Sequence, residues 1–213
     1  LPVRYLRWLG RGMTGDLGYS FQTRRPVLQE IAAVLPATVM LAGVTLAFTV
    51  LLVVPSGVLA AAKPGSWIDR AILFVSLTAV TIPDFFLGVI LILVFSLGLR
   101  WLPVAGSGGP LYLILPALTI AVGFAAITIR ILRNSLLAAL RQEYIRAARA
   151  RGLPEPTVLA KHALRNSLIP LVTYLGSQFA YLFGGAMVVE TLFRWPGLGR
   201  LLVESVLARD FMV

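Results

Sequence analysis

The sequence predicts an all-α, polytopic membrane protein, and three observations predict it. Residues are 58% hydrophobic and only 13% charged, where soluble domains carry about a quarter charged residues. Mean hydropathy is +0.87. Four apolar stretches, roughly 35–62, 71–99, 111–129 and 168–193, can each cross a hydrocarbon core of about 30 Å, which takes about 20 helical residues. A segment facing lipid has no water to satisfy its peptide groups, so each stretch is expected to be helical.

The elements follow in chain order. Over Leu1–Met13, Tyr5, Leu6, Leu9 and Met13 share one helical face and Arg4, Arg7 and Arg11 another, the pattern of a short interfacial helix. The first residue is Leu1 and no signal-peptide core follows it, so the chain is expected to be a piece of a longer protein. After the first span, 63–70 is a tight polar turn. The second span contains Pro83, which lacks the N–H a continuing helix needs. Thr81 is expected to cap the second half-helix, with Asp84 in its first turn, where the dipole favours a carboxylate. Residues 100–110 are Gly/Pro-rich and predict an irregular loop. The third span has Pro116 near its start, where a helix tolerates proline best. The fourth carries Ser177 and Gln178, with Gly184-Gly185 suited to close helix packing. Glu190 is expected to be a solvated carboxylate at the end of that span. Residues 194–213 predict a Pro-Gly turn and an amphipathic helix too mixed with charge to span.

Several function classes are excluded. With no cysteine and one histidine there is no thiolate nucleophile and no Cys- or His-based metal site. No GxxxxGK[ST] run is present, so the chain has no P-loop for ATP. No catalytic residue, metal or cofactor is expected. Asp84 is the acidic residue deep in a span. Such groups face a bundle interior or a water path, so it either caps the helix break or, with Thr81, Ser177 and Gln178, lines a translocation path.

The connection between the third and fourth spans is long and patterned. Residues 130–165 hold eight basic residues against Glu143 and Glu155, a local charge of +6. Counting Lys and Arg at the two ends of the spans gives nearly equal totals, so the positive-inside trend alone does not orient the chain; the density of this cluster places 130–167 in the cytoplasm. Helix is expected from Leu132 to Arg151, with small Ala147, Ala148 and Ala150 allowing close approach of another surface. Gly152 suits the left-handed residue after a helix, Pro154 and Pro156 forbid continuation, and Pro156 opens a second short helix over Thr157–Ser167. Tyr144 is the single aromatic in this stretch, too few for a stacking platform, so nucleic acid is not expected as a partner. Membrane lipids are.

The run Arg146-Ala147-Ala148-Arg149-Ala150-Arg151-Gly152, followed after nine residues by His162-Ala163-Leu164-Arg165, resembles the EAA loop of permease subunits of binding-protein-dependent ABC importers. It departs from the general pattern in having Arg146 for glutamate, His162 for isoleucine and Arg165 for proline. Those departures, with GDLGYSF at 15–21, TIPDFFLG at 81–88 and ETLFRWPGLGRLLVESVLARD at 190–210, are similar to the B-type subunits of dipeptide, oligopeptide and nickel importers. The resemblance implies an ABC importer type I permease fold, with the second to fifth of six spans present, residues 1–30 and 194–213 extracytoplasmic, and 31–193 a transmembrane core. It implies that 130–167 is a coupling helix-turn-helix in which Arg146, Ala147, Ala148, Gly152, Leu153, Glu155 and His162 meet cytoplasmic ABC ATPase subunits. A second permease subunit and an extracytoplasmic substrate-binding protein are the other implied partners, in a bacterial or archaeal cytoplasmic membrane. Di- or oligopeptides are the implied cargo; nickel or another small solute, or a standalone secondary transporter, are the alternatives.

Overall fold

The computed structural model describes Gly10, Gly12 and residues 14–210, the side chains of 179–185 excepted. The interfacial helix expected over Leu1–Met13 and the packing expected of Gly184-Gly185 lie outside the described residues. Within them the chain is helical and carries no β-strand beyond one bridge between Tyr19 and Pro26.

Helix α1, Val27–Ala62, begins eight residues before the predicted span. Pro26 precedes it and Glu30 lies in its first turn, where the macrodipole favours a negative charge, so polar residues enter the helix and the boundary expected at residue 31 falls inside it. Its 36 residues extend about 54 Å, well beyond the hydrocarbon core. Helix α2, Trp67–Thr81, follows a turn in which Ser66 accepts from the Asp69 N–H. Helix α3, Asp84–Leu91, continues as a π-helical stretch to Gly98.

The predicted span 71–99 is therefore not one straight helix: α2 and the Asp84–Gly98 segment meet at 105° across Ile82-Pro83. The expected cap is corrected as well. The residue before α3 is Pro83, and the Thr81 hydroxyl donates to the Thr78 carbonyl of its own helix instead. Asp84 does open α3, as expected.

Helix α4, Leu111–Leu140, runs eleven residues past the predicted span and contains Arg130 and Arg133. It is the hub, packed against α1, α2, α3 and, later in the chain, the helices over Leu164–Gly185 and Met187–Leu192. Its buried face carries Ala117, Ala121, Ala125, Ala126 and Ala139, and small residues allow close backbone approach. Thr119 and Thr128 return their hydroxyls to carbonyls one turn back, so neither needs an external partner. On α1, Gly57 lies so close that a Cβ would stand 2.9 Å from the Leu132 side chain.

The helix expected from Leu132 to Arg151 is broken at Arg141-Gln142, and a separate α5 spans Glu143–Ala150. The second loop helix is not separate. A turn at Glu155–Thr157 (α6) passes through a π-helical stretch, Val158–Ala163, directly into α7, Leu164–Gly185, because no proline or glycine lies between Pro156 and Leu164. The fourth predicted span thus starts earlier, and after Ala186 it resumes as α8, Met187–Leu192. A Trp195-Pro196-Gly197 turn leads to α9, Leu198–Leu207.

Two helices, α1 and α4, are long and apolar enough to cross a membrane, and the bent α2–α3 pair makes a third if it counts as one span. Two buried clusters fill the bundle. One holds Val53, Ile129, Leu132, Leu136, Ile145, Val158 and Leu171; the other holds Leu41, Leu113, Leu115, Ile120, Val189, Phe193 and Trp195.

Candidate functional site

At the loop end, Asp69 of the 63–70 turn receives Arg133 through two bonds, Nε to Oδ1 and Nη2 to Oδ2, each 2.6 Å. Its Oδ2 also accepts the Gly65 N–H at 2.8 Å. Asp69 is buried, and this ion pair fixes the 63–70 turn to α4 near its loop end. The sequence reading counted Arg133 among the loop cations and overlooked Asp69, although a carboxylate three residues after a capping serine was the available signal.

The loop itself is an elbow. Helix α5 inserts Ile145 and Ala148 into the bundle core beside Val158 and Ala163. Arg146 and Ala147 point outward, and Tyr144 is 41% exposed. Gly152 takes φ +77° and donates its N–H to the Arg149 carbonyl, which ends α5 sharply. Across the bend Arg149 grips Glu155 with two bonds, 3.0 and 2.6 Å. The neighbouring guanidinium holds the Glu155 carboxyl below its ordinary range.

The sequence-derived loop residues are thus divided. Arg146, Ala147, Gly152 and Glu155 lie on the outer surface. Leu153 and His162 are half-buried, and Ala148 is buried against its own bundle. Ala148 is small because Ile145 and Ala148 seat the helix, one turn apart on its inner face.

The translocation-path candidates are also divided. Asp84 and Gln178 line one cavity of about 370 Å³ beside Gly123. Thr81 and Ser177 do not line it; each returns its hydroxyl to its own helix.

The opposite end is closed by two carboxylates. Glu190, expected to be solvated, is completely buried. Its Oε1 accepts the Thr38 hydroxyl at 3.0 Å and its Oε2 the Arg200 N–H at 3.1 Å. Thr38 in turn accepts the Leu198 N–H, and the Trp195 indole N–H donates to the Ala37 carbonyl. The turn at 194–200 folds back over α8 and encloses the carboxylate, which a linear reading of the span's end did not anticipate. Asp210 similarly accepts the Ser20 hydroxyl and the Phe21 and Gln22 N–H groups, tying the two terminal segments together.

A family profile described as "Binding-protein-dependent transport system inner membrane component" matches residues 53–213. The chain is 41% identical to the "Glutathione transport system permease protein GsiC" of Escherichia coli (strain K12) over 210 residues, covering 99% of this chain and 69% of that protein. It is 42% identical to the protein of the same name from Pectobacterium atrosepticum, covering 100% of this chain and 70% of the relative. Among solved structures, the crystal structure of an amino acid ABC transporter with histidines superposes with a TM-score of 0.61 over 86% of this chain and 82% of its own, at 17% identity. At that identity the likeness concerns the fold.

Proposed function

Because this chain belongs to the family of inner-membrane components of binding-protein-dependent transport systems, and is a permease subunit of an ABC importer and not an enzyme, we propose that its 143–155 elbow couples cargo movement to ATP hydrolysis by cytoplasmic partner subunits. The observation that carries this is the elbow's two-sided construction. Ile145 and Ala148 root it in the core cluster that also contains residues of α1, α4 and α7, while Arg146, Ala147 and Glu155 face outward. A push on the outer face is therefore transmitted to the spans as a rigid-body shift and not absorbed by a slack loop.

The full reading has four spans, the second of them broken, with 130–167 in the cytoplasm and 14–30 and 194–210 outside. A second permease subunit completes the pore, an extracytoplasmic binding protein delivers cargo, and the membrane is the cytoplasmic membrane of a bacterium or archaeon. The glutathione transport named in the relatives supports a small peptide as cargo. Nickel or another small solute is the alternative within the family.

The test is Ala147→Glu, which alters the outer face without touching the core, alongside Gly152→Pro, which cannot adopt the required φ. In the reconstituted importer, ATPase stimulation by loaded binding protein is expected to fall about tenfold or more, the equivalent of losing about 1.4 kcal/mol of docking energy. Membrane insertion stays intact. Normal stimulation in Ala147→Glu sinks the coupling role.

A further inference from the structure

We propose that the cavity at the α2–α3 break is a subsite for a primary ammonium group, presented by the free amino terminus of a peptide cargo. The choice of a peptide rests on the functional reading above; the ammonium chemistry rests on the cavity.

Every polar group lining the cavity can offer an acceptor. Among the described residues no hydrogen-bond donor or ion-pair partner reaches the Asp84 carboxylate. Gln178 spends an amide N–H on the Tyr174 hydroxyl, leaving its carbonyl oxygen as an acceptor. Ala79 also lines the cavity, and the helical donor to its carbonyl would be residue 83, a proline without an N–H. Val80 follows it at the same helix end, where carbonyls carry the negative end of the helix dipole. Among the described residues no lysine or arginine lines the space.

Gly123 keeps the front of the carboxylate open. A Cβ there would stand 3.1 Å from the Asp84 Oδ1, so a larger side chain would fill the approach. Gly123 lies about 18 Å along α4 from its first residue and is partly buried, and the Asp84 carboxylate beside it is exposed to the cavity. An ammonium entering from water sheds part of its hydration there, and the carboxylate with helix-end carbonyls replaces part of what water supplied. One carboxylate matches one positive charge. A carboxylate or phosphate group would be repelled by the Asp84 charge, and a nickel ion would find no imidazole nitrogen.

The experiment uses saturation-transfer NMR on the detergent-solubilised complex of both permeases and the ATPases, without binding protein. The probes are trialanine, N-acetyltrialanine and butylammonium. Trialanine and butylammonium are expected to give a signal and the acetylated peptide less than a fifth of it. Asp84→Asn is expected to lower the first two at least fivefold and Asp84→Glu to retain them, with co-elution of both permeases and the ATPases in size-exclusion chromatography confirming assembly of each variant. Equal signals from free and acetylated peptide, or an undiminished signal in Asp84→Asn, overturn the subsite. If the wild-type importer takes up no peptide in proteoliposomes while the butylammonium signal and its Asp84 dependence persist, the peptide reading fails and the ammonium subsite stands.

Discussion

The two ends of the bundle solve the same problem, holding charged chain against an apolar core, in opposite ways. At the loop end one ion pair, Asp69–Arg133, is buried, and the remaining pairs, Arg146–Glu143 and Arg149–Glu155, are exposed. At the far end Glu190 and Asp210 are buried and accept from hydroxyls and backbone N–H groups. The turns differ too. Gly65 and Gly152 supply the left-handed residues at the loop end, whereas the other end adds to Gly15, Gly18, Gly106 and Gly109 four arginines, Arg24, Arg100, Arg194 and Arg209, with φ between 51° and 58°. Arginine pays a steric cost there that glycine avoids, so at these four positions the surrounding structure holds the chain against local preference. The loop end is a surface element rooted in the core; the far end is a seal.

The largest effect that could break this contrast is at Gly197. A Cβ there would stand 2.1 Å from the Glu190 Oε1. Gly197→Val is expected to destabilise the protein by about 3 kcal/mol or more, since neither the enclosed carboxylate nor the turn has room to yield. Denaturation in mixed detergent measures it, and a wild-type midpoint would show that the seal is loose.

Next comes Asp69→Asn, which leaves the Arg133 guanidinium largely buried without its counter-charge. The expected loss is about 3 kcal/mol. The exchanged pair, Asp69→Arg with Arg133→Asp, should recover part of it. A double variant no better than either single change would mean the Gly65 contact, and not the charge pair, holds the turn.

The smallest effect belongs to the elbow clasp. Glu155→Gln is expected to change stability by no more than about 0.5 kcal/mol, because both partners are exposed. The Glu155 carboxyl is held below its ordinary value, so the clasp contributes fully above the unfolded value and weakens as pH falls through the folded one. A spin-label pair across Gly152 should therefore broaden its distance distribution only in acid, below the ordinary glutamate range, and stay unchanged near neutral pH. Broadening in the neutral range would point to a different hinge.

Much of the 143–155 elbow was legible in the sequence, because its determinants are local. Gly152 needs positive φ, Pro154 and Pro156 stop one helix and permit another, and Pro83 breaks the second span; each acts through its own backbone. The inward turn of Ala148 was not legible. A run of three small residues looks the same on either face, and only the position of Ile145 against the core selects one. Asp84 was visible as an ionisable group in an apolar run, yet its meeting with Gln178, 94 positions later, required α3, α4 and α7 to converge.

The sequence by itself determined that this protein is helical, membrane-embedded and a member of a transport family, because apolar length, proline and glycine positions and family wording are properties of the linear chain. The tertiary structure decided the fate of the charges. Asp69, Glu190 and Asp210 are acidic residues flanking apolar runs, where solvation is the default expectation. All three are buried because distant segments return to cover them and supply donors, and burial of a carboxylate depends on those donors, which no local pattern reveals.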